Sequence, residues 1–220
     1  MISQIDPAAT KGAAPIYHLK VVLLGTKPPI WRRLQLPGYA NLGWLHTVIQ
    51  VAMGWTNSHL HHFLTREARY SDPRHNEDMG FGDAPDRDEA KAMLMQVLPE
   101  KGARLRYEYD FGDSWEHEIK VTKILPPDPA APATVLCLDG ARACPPEDCG
   151  GVWGYAELLE KLANPKHPEH KSMLEWLGGR FNAEAFDAAE VNHWLRKLKW
   201  PRATEAQLRK VLMGRDGYTE

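Results

Sequence analysis

The sequence predicts an α+β protein built from antiparallel β hairpins that form a sheet packed against helices. Apolar and polar residues alternate with the two-residue period of strands in two pairs of segments, at 16–23 with 30–36 and at 105–109 with 115–121. Three- and four-residue spacing of apolar residues, typical of helices, dominates after residue 151. Strands precede most of the helices rather than alternating with them, so we expect a mainly antiparallel sheet.

Three regions are expected along the chain. Residues 1–15 are rich in alanine and glycine and have too little apolar content to order themselves, which predicts a flexible lead-in. Residues 16–200 are expected to form a single α+β domain. Residues 201–220 are expected to form a helical C-terminal extension with an amphipathic helix over 203–213.

The first half of the chain predicts a hairpin, a helix and a loop. The hairpin strands are separated by a Gly- and Pro-containing break at 25–29. Asn41 is suited to cap a helix whose apolar positions continue to Met53, and Gly54 is suited to end it. A short strand at 60–64 is followed by an acidic stretch at 66–89, which predicts a solvated loop.

The second half predicts a hairpin, a stiff connection and several helices. Residues 90–98 fit either a helix or a strand, and the hairpin at 105–121 follows. Four prolines in residues 126–133 predict an extended connection. Helices are then expected at 155–163, at 168–177 and from the cap Asp187 to Leu198.

Composition limits the functional class. The sequence has no apolar run of about 18 residues and no signal-peptide pattern at its start, which predicts a cytoplasmic protein without membrane contact. The formal net charge of -2 gives no overall preference for nucleic acid. The three cysteines are an odd number within a short stretch, which argues for reduced thiols or metal ligands rather than disulfides.

The turn of the second hairpin is rich in side chains that bind ligands. Its candidate ligand-binding residues are Tyr109, Asp110, Asp113, Trp115 and His117. The carboxylates and the imidazole offer oxygen and nitrogen ligands for a metal, or an acid and a base. Aspartates at both ends of a turn also cap main-chain amides, and this simpler interpretation needs no ligand.

A second polar loop follows at 143–151. Cys137, Cys144 and Cys149 are spaced C-x6-C-x4-C and, with His117, are candidate ligands of zinc or another divalent metal, although buried unliganded thiols are the simpler interpretation. Glu147 and Asp148 stand on the same loop and suit either a hard cation or a helix cap.

A third candidate is the sequence Trp31, Arg32 and Arg33, which places an aromatic ring beside two guanidinium groups. This combination suits phosphate contact or stacking on a base, while one arginine is expected to form an ion pair with Asp110 or Asp113. The basic residues between 196 and 215 offer a possible nucleic-acid contact, or an ordinary solvated helix face.

Several motifs occur in an order that is similar to a known family. They lie at 28–33, 45–46, 53–55, 59–60, 107–117 and 143–151. The chain resembles the Ri-plasmid open-reading-frame-three-like family over about residues 16–198. The resemblance implies an α+β fold and an association with plasmids or transposon passengers, some labelled resolvases, and it carries no catalytic residues.

Three functions follow as hypotheses. The first is an accessory module associated with mobile elements that binds a small molecule or a protein in a groove formed by the hairpin turn, the loop at 143–151 and residues 31–33. The second is a metal-dependent or acid/base hydrolase that uses the carboxylates of the two loops. The third is a nucleic-acid-associated protein that binds through its basic C-terminal helices.

Overall fold

A computed structural model describes residues 15–75, 86–127 and 134–198. It contains eight strands: β1 Ile16–Leu23, β2 Ile30–Pro37, β3 His61–Leu64, β4 Arg69–Ser71, β5 Asp86–Asp88, β6 Arg104–Tyr109, β7 Trp115–Leu125 and β8 Leu136–Ala141. Its helices are α1 Leu42–Met53, α2 Leu94–Val97, α3 Gly151–Ala163, α4 His170–Trp176 and α5 Ala188–Leu195, with short 3-10 turns at Pro73–His75 and Glu89–Lys91. The α+β class is confirmed.

All eight strands form one sheet in the order β5-β4-β3-β6-β7-β1-β2-β8. Every neighbouring pair is antiparallel except β4 with β5, which is parallel. The two predicted hairpins are present, since β1 pairs with β2 along its full length and all of β6 pairs with the first half of β7. The central strands β7 and β1 pair with each other and join the hairpins into one surface.

Helix α1 supplies much of the core. Nine of its twelve residues are buried, so it lies inside the fold rather than on its surface. The side chain of Asn41 accepts a hydrogen bond from the Trp44 N–H, and Gly54 ends the helix with a left-handed φ of 102°. Helix α5 contacts both α1 and β8.

Several predicted elements differ from the structure. The stretch 66–89 was expected to be a solvated loop, and this was wrong for Arg69–Ser71, which forms a buried strand. The Arg69 guanidinium binds Asp86 on the neighbouring strand β5, and this pairing lets charged residues enter the sheet. Strand β8 was not predicted, and residues 90–98 form the short helix α2 rather than a strand.

Two further predictions lie wholly or mainly on residues outside the described ranges, namely the lead-in at 1–15 and the extension at 201–220. Within the described ranges, no helix is long and apolar enough to cross a membrane.

Candidate functional site

The β6–β7 turn is held in place by Asp110. Its Oδ1 accepts the Gly112 N–H at 2.9 Å, and its main-chain carbonyl accepts the Ser114 N–H at 2.6 Å. Asp110 and Ser114 both adopt positive φ, at 58° and 53°. Aspartate tolerates this conformation better than most residues because its short side chain bonds to the local backbone.

His117 lies apart from this turn. Strand alternation directs Trp115 and His117 into the core, where both are fully buried. The His117 ring packs 5.4 Å from the Trp55 ring and 5.3 Å from the Tyr107 ring. Burial lowers the pKa of His117 to about 3. The structure therefore does not bring His117 together with Asp110 and Asp113 at the surface.

The loop at 143–150 reaches the turn. Its Gly150 N–H donates to Asp113 Oδ2 at 3.1 Å, and its Pro145 carbonyl accepts the Trp55 indole N–H at 3.1 Å. Gly151 passes so close to the turn that a Cβ there would lie 2.4 Å from the Asp113 carbonyl oxygen. We call the meeting of segments 56–59, 110–114 and 145–150 the loop junction.

Glu147 ties the loop junction together. Its Oε1 accepts hydrogen bonds from the Tyr109 hydroxyl at 2.9 Å and the Thr56 N–H at 2.7 Å, and its Oε2 accepts the Thr56 hydroxyl at 2.7 Å. The Tyr109 hydroxyl in turn accepts the Ser58 N–H at 3.0 Å. Burial and the Glu147 charge raise the pKa of Tyr109 well above its usual value. Because its carboxylate accepts three hydrogen bonds, Glu147 connects its own loop to Tyr109 and Thr56.

His59 meets two carboxylates at the loop junction. Its Nε2 lies 3.7 Å from Asp110 Oδ2 and 3.3 Å from Asp148 Oδ1. One ligand atom from each of the three residues lies within 4.8 Å of the other two. Sequence reasoning identified both aspartates as candidates, but it missed His59 as their partner. We call His59, Asp110 and Asp148 the His59 cluster.

The three cysteines are reduced and stand in different surroundings. Cys137 is buried in β8, where its main chain exchanges two 2.8 Å hydrogen bonds with the Asn192 side chain. Burial, reinforced by the nearby Asp113 and Asp148 charges, raises the pKa of Cys149 to about 12. In the described part of the chain, the cysteines and His117 form no group with the geometry of a metal site.

Arg32 and Arg33 have separate roles. Arg32 is 3% exposed and donates to the carbonyls of Ala52, Trp31, Ala141 and Arg142 at 2.8 to 3.0 Å. Arg33 lies near the surface and pairs with Asp139 at 3.3 Å. The expected ion pair with Asp110 or Asp113 was therefore wrong for Arg33, because the neighbouring strand β8 supplies a nearer carboxylate. Trp31 is half-buried beneath the Lys20 ammonium, at 5.0 Å.

A cleft of about 490 Å³ opens beside Arg32. It lies between the end of α1 and the start of α5, and we call it the α1–α5 cleft. Its lining residues are Arg32, Ala52, Met53, Ala143, Cys144, Ala185, Phe186, Asp187, Glu190 and Val191. The expected groove is thus divided, with residues of the hairpin turn at the loop junction and Arg32 in the cleft.

The basic C-terminal region is described only in part. The structure describes Arg196 and Lys197, which directly follow α5, and the Lys197 ammonium lies 4.0 Å from the Trp194 ring centre. The basic residues at 199–215 lie outside the described ranges, so the nucleic-acid hypothesis stays a prediction.

Known proteins are similar to this chain in sequence and in fold. The family model for plasmid pRiA4b ORF-3-like protein matches residues 15–190. The uncharacterized protein y4hQ of Sinorhizobium fredii is 38% identical over 193 residues, covering 86% of this chain and 96% of y4hQ. The crystal structure of the protein of unknown function MM3350 from Methanosarcina mazei Go1 is similar with a TM-score of 0.71 and 36% identity, covering 82% of this chain and 98% of that chain. The chain therefore belongs to the plasmid pRiA4b ORF-3-like protein family.

Proposed function

We propose that the chain is a small-molecule-binding module of this plasmid-associated family, and that its ligand is an organic cation held in the α1–α5 cleft. The observation that carries the proposal is the cleft itself, because its volume of about 490 Å³ suits a small organic molecule. Most of its lining is apolar, with methionine, valine, alanine and phenylalanine side chains.

The back wall of the cleft is fixed before any ligand arrives. Arg32 is locked by its four hydrogen bonds to main-chain carbonyls, and its guanidinium stacks 4.5 Å from the Phe186 ring centre. Phe186 in turn packs against Gly140, where a Cβ would lie 2.5 Å from the ring. A rigid wall lowers the entropy lost on binding.

The charge of the cleft selects the class of ligand. The Arg32 donors point at carbonyl oxygens, which leaves this cation poorly placed to bind an anionic ligand. Asp187 and Glu190 are exposed at the rim and contribute negative charge. A molecule with an apolar body and an ammonium or guanidinium group fits apolar walls and an acidic rim.

Cys144 provides a reporter for this proposal because it lines the cleft. Alkylation by iodoacetamide is followed by mass spectrometry with hexylamine, hexanol or hexanoate present. Cys137 and Cys149 serve as internal references, since the first is buried and the raised pKa of the second keeps its thiol protonated. We expect hexylamine to slow Cys144 alkylation several-fold while hexanoate has no effect.

The variant Glu190→Gln separates charge recognition from simple filling of space. It is expected to reduce protection by hexylamine toward that given by hexanol. Equal protection by all three compounds would contradict the organic-cation class. An absence of protection by any of them would contradict the cleft as the binding site.

A further inference from the structure

We propose that the loop junction is a divalent-cation site in which His59, Asp110 and Asp148 are the ligands. This site is separate from the α1–α5 cleft, which none of the three residues lines. Each residue offers one ligand atom, and these atoms lie within 4.8 Å of one another. Three ligand atoms in such a triangle can share one ion at about 2.0 to 2.3 Å after small side-chain adjustments.

The His59 ring gives the first reason for a cation. Its Nε2 atom is buried from solvent and makes no hydrogen bond, although it points toward two carboxylates. A buried nitrogen that makes no hydrogen bond has lost its hydration without a well-aligned bond in exchange. Coordination of a cation through the Nε2 lone pair would satisfy this atom and neutralise the two carboxylates together.

The division of labour within Asp110 gives the second reason. Its Oδ1 holds the turn through the Gly112 N–H, and its Oδ2 is the atom that faces His59. Asp110 is only 6% exposed, so a bare charge there is costly unless a cation or hydrogen bonds compensate it. The hydrogen bond from the Gly112 N–H fixes the direction of this carboxylate, as hydrogen bonds to metal ligands commonly do.

Backbone conformation gives the third reason. Asp110 and Asp148 adopt positive φ values of 58° and 57°, and neighbouring Asn57 and Ser114 do the same. Four of the five non-glycine residues with positive φ in the described ranges thus lie at this one junction. Asparagine and aspartate tolerate this conformation through local side-chain bonds, so the four positions mark tight turns that fix the directions of the side chains meeting at the junction.

The ligand atoms indicate the kind of cation. One imidazole nitrogen with two carboxylate oxygens suits first-row divalent ions such as Mn²⁺ or Zn²⁺ better than Ca²⁺, which favours all-oxygen shells. The Asp148 side chain is 72% exposed, so water or a ligand atom has access to the remaining coordination positions. An open position of this kind is what the hydrolase hypothesis requires of a metal site.

The competing interpretation is an ion triad without metal, in which a protonated His59 bridges the two carboxylates. Isothermal titration calorimetry of the metal-free full-length protein with Mn²⁺ distinguishes the metal site from the ion triad. Mn²⁺ is preferred over Zn²⁺ as the probe because the soft sulfur atoms of the three free cysteines would compete for zinc. We expect one Mn²⁺ per chain, and failure to bind Mn²⁺ at millimolar concentration would overturn the cation site.

Asp148→Asn tests the site with little risk to the fold. Asparagine accepts positive φ as aspartate does, and the side chain is exposed. The matched control is Asp113→Asn, which removes one charge from the same junction, keeps a side-chain oxygen that can accept the Gly150 N–H and stands outside the His59 cluster. We expect Mn²⁺ affinity to fall by about tenfold or more in Asp148→Asn and to change far less in the control. Equal losses would reduce the effect to general surface charge and overturn the assignment.

His59→Gln and His62→Gln form a second matched pair. His62 also faces a carboxylate, with its Nε2 3.2 Å from Glu108 Oε2, but it has no place in a group of three ligands. Mn²⁺ binding is expected to be lost in His59→Gln and kept in His62→Gln. Retention of binding in a folded His59→Gln variant would overturn the proposal.

Discussion

Two groups of histidine and carboxylate side chains lie close together in this protein and differ in how completely they are bonded. The first is the His46 network, formed by His46, His61 and Glu89 inside the fold. The His46 ring bonds the Tyr107 hydroxyl at 2.9 Å and Asn57 Oδ1 at 2.7 Å, and His61 Nε2 bonds Glu89 Oε2 at 2.8 Å. The second is the His59 cluster, where Nε2 has no hydrogen-bond partner.

The difference teaches how the same residue types serve stability in one place and offer a binding site in the other. The His46 and His61 rings stack in parallel, 3.4 Å apart, which disfavours charge on both. Burial, with help from His61, lowers the pKa of His46 well below its usual value. The bonded His46 network therefore serves stability, whereas His59 Nε2 makes no hydrogen bond and the exposed Asp148 carboxylate opens the His59 cluster to solvent.

The largest effect is expected from breaking the main-chain contact beneath the His59 cluster. Gly151→Ala introduces a Cβ 2.4 Å from the Asp113 carbonyl oxygen at a φ of +67°. We expect a loss of about 4 kcal/mol in the free energy of unfolding, measured by urea denaturation. The main chain at Asp113 must move away from the new Cβ, and alanine is also strained at this positive φ. Gly178→Ala is the control, since its φ is +68° and no atom lies within 4 Å of its Cβ.

In Gly178→Ala we expect only the cost of placing alanine at a positive φ, about 1 to 2 kcal/mol. Similar losses in the two variants would show that φ alone matters and that the two loops are not pressed together at Gly151. The urea midpoints of both variants decide between these outcomes.

The His46 network is expected to make stability depend on pH through Glu89. Burial raises the pKa of Glu89 from 4.5 to about 7. The folded state therefore holds this proton more tightly than the unfolded chain, so its contribution is complete below pH 4.5 and is lost as pH rises to about 7. The loss is at most about 3 kcal/mol.

Glu89→Gln isolates this effect because glutamine does not titrate. The difference in unfolding free energy between the wild type and Glu89→Gln is expected to fall between pH 4.5 and pH 7. The opposite contribution of His46, which is lost at acid pH, is present in both proteins and largely cancels. A difference that stays constant with pH would contradict the raised Glu89 pKa.

A smaller difference in stability is expected between variants of two buried tyrosines, Tyr107 in contact with the His46 network and Tyr109 at the loop junction. Tyr107→Phe removes the hydroxyl that bonds His46 and Gln50, and leaves two buried polar groups without that partner. Tyr109→Phe removes the hydroxyl at Glu147, which keeps both of its bonds to Thr56, and leaves only the part-buried Ser58 N–H without that acceptor. We expect losses of about 2 kcal/mol for Tyr107→Phe and about 1 kcal/mol for Tyr109→Phe, read from thermal unfolding.

A larger loss of stability in Tyr109→Phe than in Tyr107→Phe would show that the hydrogen bonds at the loop junction contribute more to stability than those of the His46 network. Mn²⁺ titration of Tyr109→Phe adds a second reading, since the Glu147 bridge fixes the loop that carries Asp148. Weaker Mn²⁺ binding is expected there and unchanged binding in Tyr107→Phe.

Local patterns made part of this fold and site predictable. Alternation identified both hairpins, and the caps Asn41 and Gly54 bounded α1 because capping depends on neighbouring residues alone. Strand β4 was missed because its Arg69 can be buried only through its pairing with Asp86, and the sequence alone does not show that these two residues lie side by side. Short three-residue strands also show too little periodicity to be recognised.

The candidate site was predictable to the same extent. Polar turn residues indicated Asp110 and Asp148, since clusters of this kind are visible along the chain. The partnership of His59 with Asp148 depends on a contact between residues distant in sequence, and periodicity carries no information about it. His117 shows the converse, because it was expected to join Asp110 and Asp113 at a site, whereas strand alternation buries it in the core on the same face as Trp115.

The smallest expected change in stability comes from glycine substitutions at Asp148 and Asn57, which have nearly the same positive φ but different side-chain contacts. Asp148→Gly relieves a φ of 57° at an exposed loop position, and we expect stability to rise by up to about 1 kcal/mol while Mn²⁺ binding is lost. Asn57→Gly relieves a φ of 58° but also removes the Oδ1 acceptor of His46, so a net loss of stability is expected. Thermal unfolding of both variants measures the contrast. Destabilisation by Asp148→Gly would show that the Asp148 carboxylate stabilises the fold and would weaken the distinction between a structural network and a binding cluster.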